Sequence, residues 1–493
     1  MTDFIPTPTA LKYNLPRTAI VALLLMCLSI SALAQDIMPY TEAPPDTTSR
    51  SFQRRQARQN ARLIEQQTAV KKNTSRAWVE LIGMEIGVYS FNQWVRHADF
   101  TRIDWGTTKR NINPGNWWWD KDEFQTNQFG HPYHGALFYN SFRSNGYSFW
   151  QSAPAAVGGS YLWETFAENE PPSINDFINT SFGGIVLGEM THRLSSKIVN
   201  NNTRGFKRQL SEVAGLIINP IGGLNRILDG KWGKYTYNKA DKDSSKITAE
   251  FDLGIRKFSV GSVNPLKDGG FGWYGRARML YGTPYLDYRK PFSNMNIAIE
   301  LGKDDSTLVN TLSVYGSIAG WPIRSKGKFQ HLAILSANYD YIRNYSFFYG
   351  GQSVQINLYS KMEVHKKVKL NTTVSTGAIL LSAIPSAHPI TGRNYDYGSG
   401  FAFSAMGGVT VLDKFKYSLG YRAAYTLTLN GSPSNYFLHA LTNEVSYKFV
   451  PNVALAAESG YFVLSRNYQN PALADDTKRY PYLRFSVRYT LNP

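Results

Sequence analysis

The sequence predicts an α+β membrane protein: an N-terminal helical domain followed by an antiparallel transmembrane β-barrel of about 12 strands. Three observations carry this. From residue 246 onward the chain alternates apolar and polar residues over stretches often of 10 or more residues, whereas ordinary strands run about 5–6. Aromatic content is 14%, with 31 Tyr and 27 Phe, the surplus that interfacial girdles of a barrel require. The chain also opens with the pattern of an export signal.

Lys12 and Arg17 precede the apolar run "AIVALLLMCLSISALA", and Ala32-Leu33-Ala34 forms a small-x-small cleavage site before Gln35. Residues 1–34 therefore read as a signal peptide, the run being shorter than the ~20 residues a spanning helix needs. Cys27, the one cysteine, lies inside this run after Met26, so the processed chain has no disulfide, thiolate metal ligand or cysteine nucleophile. The formal charge of +17 falls to +16 once Lys12, Arg17 and Asp3 are removed. In an exported protein such an excess points to anionic lipid head groups or the cell envelope, and away from nucleic acid. Residues 35–75 form a polar, basic arm, "RSFQRRQARQNARLIEQQTAVKK" at its heart.

Residues 76–231 have helical texture. Trp78, Leu81, Ile82, Ile86 and Tyr89 fall near helical spacing. Glu80 and Glu85 interrupt the most apolar stretch, Ala77 to Val95, so no transmembrane helix is expected. Further helices are predicted over about 149–168 and 174–199, broken by Pro171 and Pro172 and capped by Ser173, and over 206–218 before Pro220. Residues 246–493 then read as strands. In "ITAEFDLGIRKF", Ile247, Ala249, Phe251, Leu253 and Ile255 share one face; "FKYSLGYRAAYTL" and the final "LRFSVRYTL" repeat the period. Connections near 259–270, 344–350, 382–398 and 467–478 are long, and those at 365–367, 413–414 and 451–452 short. That is the asymmetry of extracellular loops and periplasmic turns, and an even strand number leaves both termini periplasmic. A soluble β-sandwich would need shorter strands. The ending Leu491-Asn492-Pro493 departs from the terminal aromatic residue such barrels tend to carry.

The stretches "GHPYHG" and "GGSYLWETFAENEPPSINDFINTSFGGIVLGEM", in that order, resemble the bacterial family known only as domain of unknown function 3943, over about residues 80–200. The resemblance implies an exported outer-membrane protein of Gram-negative bacteria. It implies no reaction, substrate or catalytic residue.

The same segment holds the candidate site. His131 and His134 flank Pro132, and Glu164 and Glu168 lie four apart on one predicted helix. Glu189 and His192 have the Glu-x-x-His spacing of carboxylate-bridged metal bundles. With Asp176 these supply oxygen and imidazole ligands, Glu164, Glu189 and His192 being the metal candidates. The same groups suit general acid–base chemistry if burial raises a carboxyl pKa, a structural network with Arg143 or Arg193, or a polar ligand pocket. Ala155, Ala156, Gly158 and Gly159 thin one helix and Gly183, Gly184 and Gly188 the next, with Trp163 and Phe182 to fill the space. Glu164 and Glu189 are expected to face each other across these two helices, with Arg193 or a histidine between. In "NPGNWWWDKDEF", Trp117, Trp118 and Trp119 suit a lipid-interface belt or sugar stacking; Asp120, Asp122 and Glu123 lack the spacing of an EF-hand.

No Gly-x-Ser-x-Gly, P-loop or His-Glu-x-x-His motif is present. Three roles follow: a structural or transport-related outer-membrane barrel with the helices as plug or gate; an envelope hydrolase or metal-dependent enzyme using the His/Glu cluster; or a docking protein acting through its basic arm. No cofactor is required by the sequence. The expected partners are outer-membrane lipid, the barrel assembly machinery during insertion, and lipopolysaccharide or a periplasmic protein.

Overall fold

In the computed structural model, residues 71–201, 203–234, 246–259, 264–266, 269–302, 308–325, 327–345, 347–365, 367–389 and 392–491 are described. The signal peptide and nearly all of the basic arm lie outside them. Among the described residues eight α-helices come first: α1 (Thr74–Trp94), α2 (Trp105–Asn111), α3 (His131–Arg143), α4 (Phe149–Phe166), α5 (Ile174–Ile178), α6 (Gly184–Val199), α7 (Gly205–Ile218) and α8 (Pro220–Leu228). π-Helical turns at Thr126–Gly130 and Asn179–Gly183 lead into α3 and α6. Twelve strands follow: β1 (Ile247–Phe258), β2 (Gly270–Tyr281), β3 (Met295–Gly302), β4 (Val309–Ile323), β5 (Gln330–Arg343), β6 (Phe348–His365), β7 (Val368–Pro385), β8 (Tyr395–Val411), β9 (Phe415–Asn430), β10 (Ser434–Val450), β11 (Val453–Tyr468) and β12 (Asp476–Leu491).

The strands form one closed antiparallel barrel in sequence order, with β1 paired to β12 from Ala249↔Leu491 to Phe258↔Tyr482. Closure leaves no free edge, as a sheet surrounded by lipid requires. The first strand begins and the last ends on the same side. There the turns between β8 and β9 and between β10 and β11 are tight, as expected. The asymmetry has exceptions on both sides: the connection 282–294 is long and sits on the tight-turn side, and 431–433, between β9 and β10, is short and sits on the long-loop side.

Which face is the bore follows from contacts between strands that are not neighbours. Arg276 of β2 reaches Glu444 of β10 at 3.2 Å and Glu458 of β11 at 2.7 Å; Arg484 of β12 reaches Glu300 of β3 at 2.9 Å. Such bonds can only run through the interior. Around them, Arg488 and Arg278 bind Asp252 and Glu444, and Arg422 of β9 reaches Tyr315 of β4, itself bonded to Asp340. Above this charged layer, Phe258, Phe347, Tyr349, Ile384, Tyr436, Leu438, Leu464, Tyr480 and Tyr482 form an apolar cluster inside the long-loop end.

The alternate residues face outward. On β1 and β8–β12 they are exposed and apolar: Leu253, Phe401, Leu419, Leu441, Leu455 and Val487 among them. Trp321, Tyr417, Tyr447 and Tyr489 are exposed toward the tight-turn end. This is the lipid-facing band and girdle of a spanning barrel.

On β2–β8 part of the outward face is covered instead by the helices, while Trp273, Ile356 and Phe401 on it stay exposed. Tyr281, Ile297, Val314, Tyr339, Tyr341, Leu381, Ala383, Tyr395 and Tyr397 share one core with Ala136, Tyr139, Ala156, Val186, Leu187, Met190 and Leu194. Register proves the side: Tyr339 and Tyr341 flank the inward Asp340, and pair with Val314 and Leu312. The expectation of a lumenal plug or a cap on the mouth is therefore corrected. The helices lean on the outer wall, from Phe292 in the 282–294 connection, stacked on Phe149, to Tyr397, against Trp119. The bore is already occupied by its own charged and aromatic side chains.

Candidate functional site

Helix α3 is the centre of the helical layer and was not foreseen. Its Pro132 sits in the first turn, where no intrahelical N–H is lost. A Cβ on Gly135 would collide with the main-chain oxygen of Thr180, and one on Gly184 with the backbone of Gly135. Gly188 likewise makes room for Tyr139, and Gly159 of α4 for Phe138. The small residues thus do permit close approach, but α4 and α6 each press on α3, which lies between them. Glu164 and Glu189 consequently belong to two separate clusters and do not face each other.

The first cluster surrounds Glu189, which is fully buried. Its carboxylate accepts from Arg143 Nε and Arg193 Nε, both at 2.7 Å, and from Tyr139 OH at 2.6 Å. Burial alone would raise this carboxyl; the two guanidinium groups outweigh it and hold the pKa at about 2. With its oxygens so occupied Glu189 is no metal ligand. Half-buried His192 is held neutral by desolvation, down at about 3, and its Nδ1 has no protein partner. The Glu-x-x-His pair is therefore not a ligand pair. Arg143 and Arg193 serve Glu189, not Glu164 or Glu168.

The second cluster gathers residues from three segments near the N-terminus of α3. His131 Nε2 lies 3.5 Å from Asp176 Oδ1. Ser173 caps α5 as expected, accepting from Asp176 N, while Ser173 N donates to Glu164 Oε2 at 2.8 Å. Asp120 Oδ1 accepts from Asn127 Nδ2 at 2.8 Å and Asn175 Nδ2 at 2.6 Å, and Asn175 Nδ2 also reaches Asp176 at 2.9 Å. Ligand atoms of His131, Glu164 and Asp176 all lie within 4.8 Å of one another. Burial, then neighbouring carboxyls, raise Glu164 and Asp176 well above the carboxylate range, and burial lowers His131. Glu168 lies beyond the end of α4, not on it; it accepts from Trp163 Nε1 at 2.7 Å, and burial lifts it to about 8. His134 stands apart, wedged between Phe138 and Trp163 and held neutral at about 3, chiefly by burial.

The tryptophan run belongs to the packing. Trp117 meets Tyr161 and Phe177, Trp118 pairs its main chain with Ser173, and Trp119 meets Tyr397 of the barrel. Asp120 is buried in the second cluster, whereas Asp122 and Glu123 are exposed. Asp120, Asn127 and Asn175 were the cluster members sequence reasoning did not join to the site. Only tertiary contact unites them, although Asp120 directly following three tryptophans was a signal of burial.

The fold and these clusters define a barrel whose bore is crossed by its own ion pairs and whose outer wall carries a polar-centred helical layer. Residues 116–221 match the family model described as "Domain of unknown function (DUF3943)", which runs from just before the tryptophans to the start of α8. No curated protein matches the chain. Among solved structures the chain is similar to the NanC porin (8% identity, 48% of this chain and 98% of that one, TM-score 0.26). It is also similar to the outer-membrane channel DcaP of Acinetobacter baumannii (8%, 50% and 96%, 0.24) and to the KdgM porin (13%, 49% and 99%, 0.23).

Proposed function

We propose that this protein is a structural outer-membrane barrel, closed to passive flow, that anchors its helical domain against the lipid-facing wall. The observation that supports it most is the set of ion pairs spanning the bore, Arg276 to Glu444 and Glu458 and Arg484 to Glu300. Charges buried together with matched partners hold one another in place; removing one partner leaves the others uncompensated at about 3–5 kcal/mol. An open pore instead keeps a water-filled lumen. The tight-turn end faces the periplasm in this reading, and the apolar outer residues of β1 and β8–β12 meet lipid.

The test is planar-bilayer recording on the folded full-length protein. The wild type is expected to pass no steady current. Glu444→Ala combined with Glu458→Ala, which removes the cross-bore partners of Arg276 and leaves it only Asp252 of the neighbouring strand, is expected to give flickering conductance. Stable wild-type channels of uniform conductance would overturn the proposal.

A further inference from the structure

The second cluster has an imbalance of charge that the protein does not itself resolve. Asp120, Glu164 and Asp176 are all less than a tenth exposed. Among the described residues no Lys or Arg side chain bonds to any of them or to Glu168; Arg393 touches only the main-chain oxygen of Asp120, at 2.6 Å. Among the same residues His131 is the one potentially cationic group whose side chain contacts a carboxyl of the cluster, and both its ring contacts are long, 3.5 Å to Asp176 and 3.4 Å to Thr180 Oγ1. An isolated buried carboxylate is costly, so such a group either keeps a proton or holds a cation.

A separate observation favours the cation. The carboxamide of Asn127, which donates to Asp120, leaves its fully buried Oδ1 without a protein partner. Asn179, three residues on from Asp176 along the same continuous helical run, is also fully buried, and both its amide atoms lack protein partners. Buried polar groups are ordinarily satisfied. Unpaired amide atoms beside converging carboxylates are the surroundings of an ion that brings bound water with it.

We propose that His131, Glu164 and Asp176 bind one divalent first-row transition-metal ion of the zinc or manganese type, with Asp120, Asn127 and Asn179 around it. The donor chemistry selects this class: two carboxylate oxygens suit any hard divalent cation, while an imidazole favours the transition metals over Ca²⁺ and Mg²⁺. The 4.8 Å spread of the ligand atoms closes to a coordination sphere by side-chain rotation about fixed backbones. Asp120 is the outer partner, orienting Asn175 and through it Asp176. The ion lies where three segments meet, so it ties the start of α3 to the end of α4 and to α5. This proposal is independent of whether the bore conducts.

The experiment uses full-length protein folded in detergent, stripped with chelator and titrated calorimetrically with ZnCl₂, MnCl₂ or CaCl₂. The wild type is expected to bind one equivalent of Zn²⁺ or Mn²⁺ and to retain it through desalting. Asp176→Asn and His131→Gln are expected to weaken binding by about 100-fold, the upper end of what loss of even an outer partner costs. Glu123→Gln, at an exposed position, should bind as the wild type does. Should a ligand variant fail to fold, the X-ray absorption spectrum of the wild-type complex decides: it should show oxygen ligation with one imidazole. Failure of wild-type protein to bind stoichiometrically, preference for Ca²⁺, a spectrum without imidazole, or folded variants of undiminished affinity would each overturn the proposal.

Discussion

Three residues of the helical layer carry predictions, one electrostatic and two steric. Glu189 has a folded pKa of about 2, below its ordinary 4.5, so it adds stability that is fully present above about pH 4.5 and is lost as the pH falls toward 2. The full shift corresponds to about 3 kcal/mol. Urea midpoints of the wild type and Glu189→Gln should therefore differ most at neutral pH and converge only as the pH reaches about 2. A gap that stays constant across that range would show that the carboxylate is not what Arg143 and Arg193 stabilise. Glycine gives the second contrast. Gly158 has open space where a Cβ would go, so Gly158→Ala should stabilise by up to about 1 kcal/mol through helix propensity. Gly135→Ala drives a methyl into the Thr180 carbonyl, and the collision should outweigh that gain by several-fold, at about 3 kcal/mol or more. Equal effects at the two positions would remove close approach as the reason for the glycines.

At the scale of elements, the twelve strands were legible because little besides a sheet with two unlike faces sustains a period of two over such long segments. Helices α4, α6 and α7 were legible from caps and breaks, Ser173 among them. Helix α3 was not: His, Pro, Gly and aromatic residues conceal it, and its stability comes from contacts on both sides that no local pattern reveals. The helical spacing on α1 did not say which residues are covered: Trp78, Ile82 and Ile86 are largely exposed, and Ala77 and Leu81 are buried. The same outward habit appears on α7, where Phe206, Leu210, Val213 and Ile217 form an exposed stripe. A helix so patterned suits the boundary of head groups and acyl chains. A fluorophore on Ile217→Cys in protein reconstituted with brominated lipid should be quenched strongly, and one on an exposed Glu123→Cys weakly. Equal quenching would place the stripe in water.

At the scale of the whole molecule, outside and inside were what the sequence concealed, because alternation names two faces without saying what covers either. A clue existed on β6, whose outward positions run Phe348, Gly350 and Gln352 before Ile356 and Leu358. Gln352 is fully buried beneath the helical layer, and a Cβ on Gly350 would strike Gln128. A glutamine aimed at lipid would have been expensive, so its presence marks protein cover. The docked position of the helices also has a temporal side. Synthesis proceeds from the N-terminus, so the helical segment emerges while β2–β8, the surface it needs, does not yet exist. Val186, Leu187 and Met190 have no wall to meet until the sheet is assembled, and the sheet closes only when β12, the last strand made, reaches β1. The first-born part of this protein must therefore wait for the last-born, greasy side uncovered, and its escape from aggregation depends on how quickly the barrel behind it is finished.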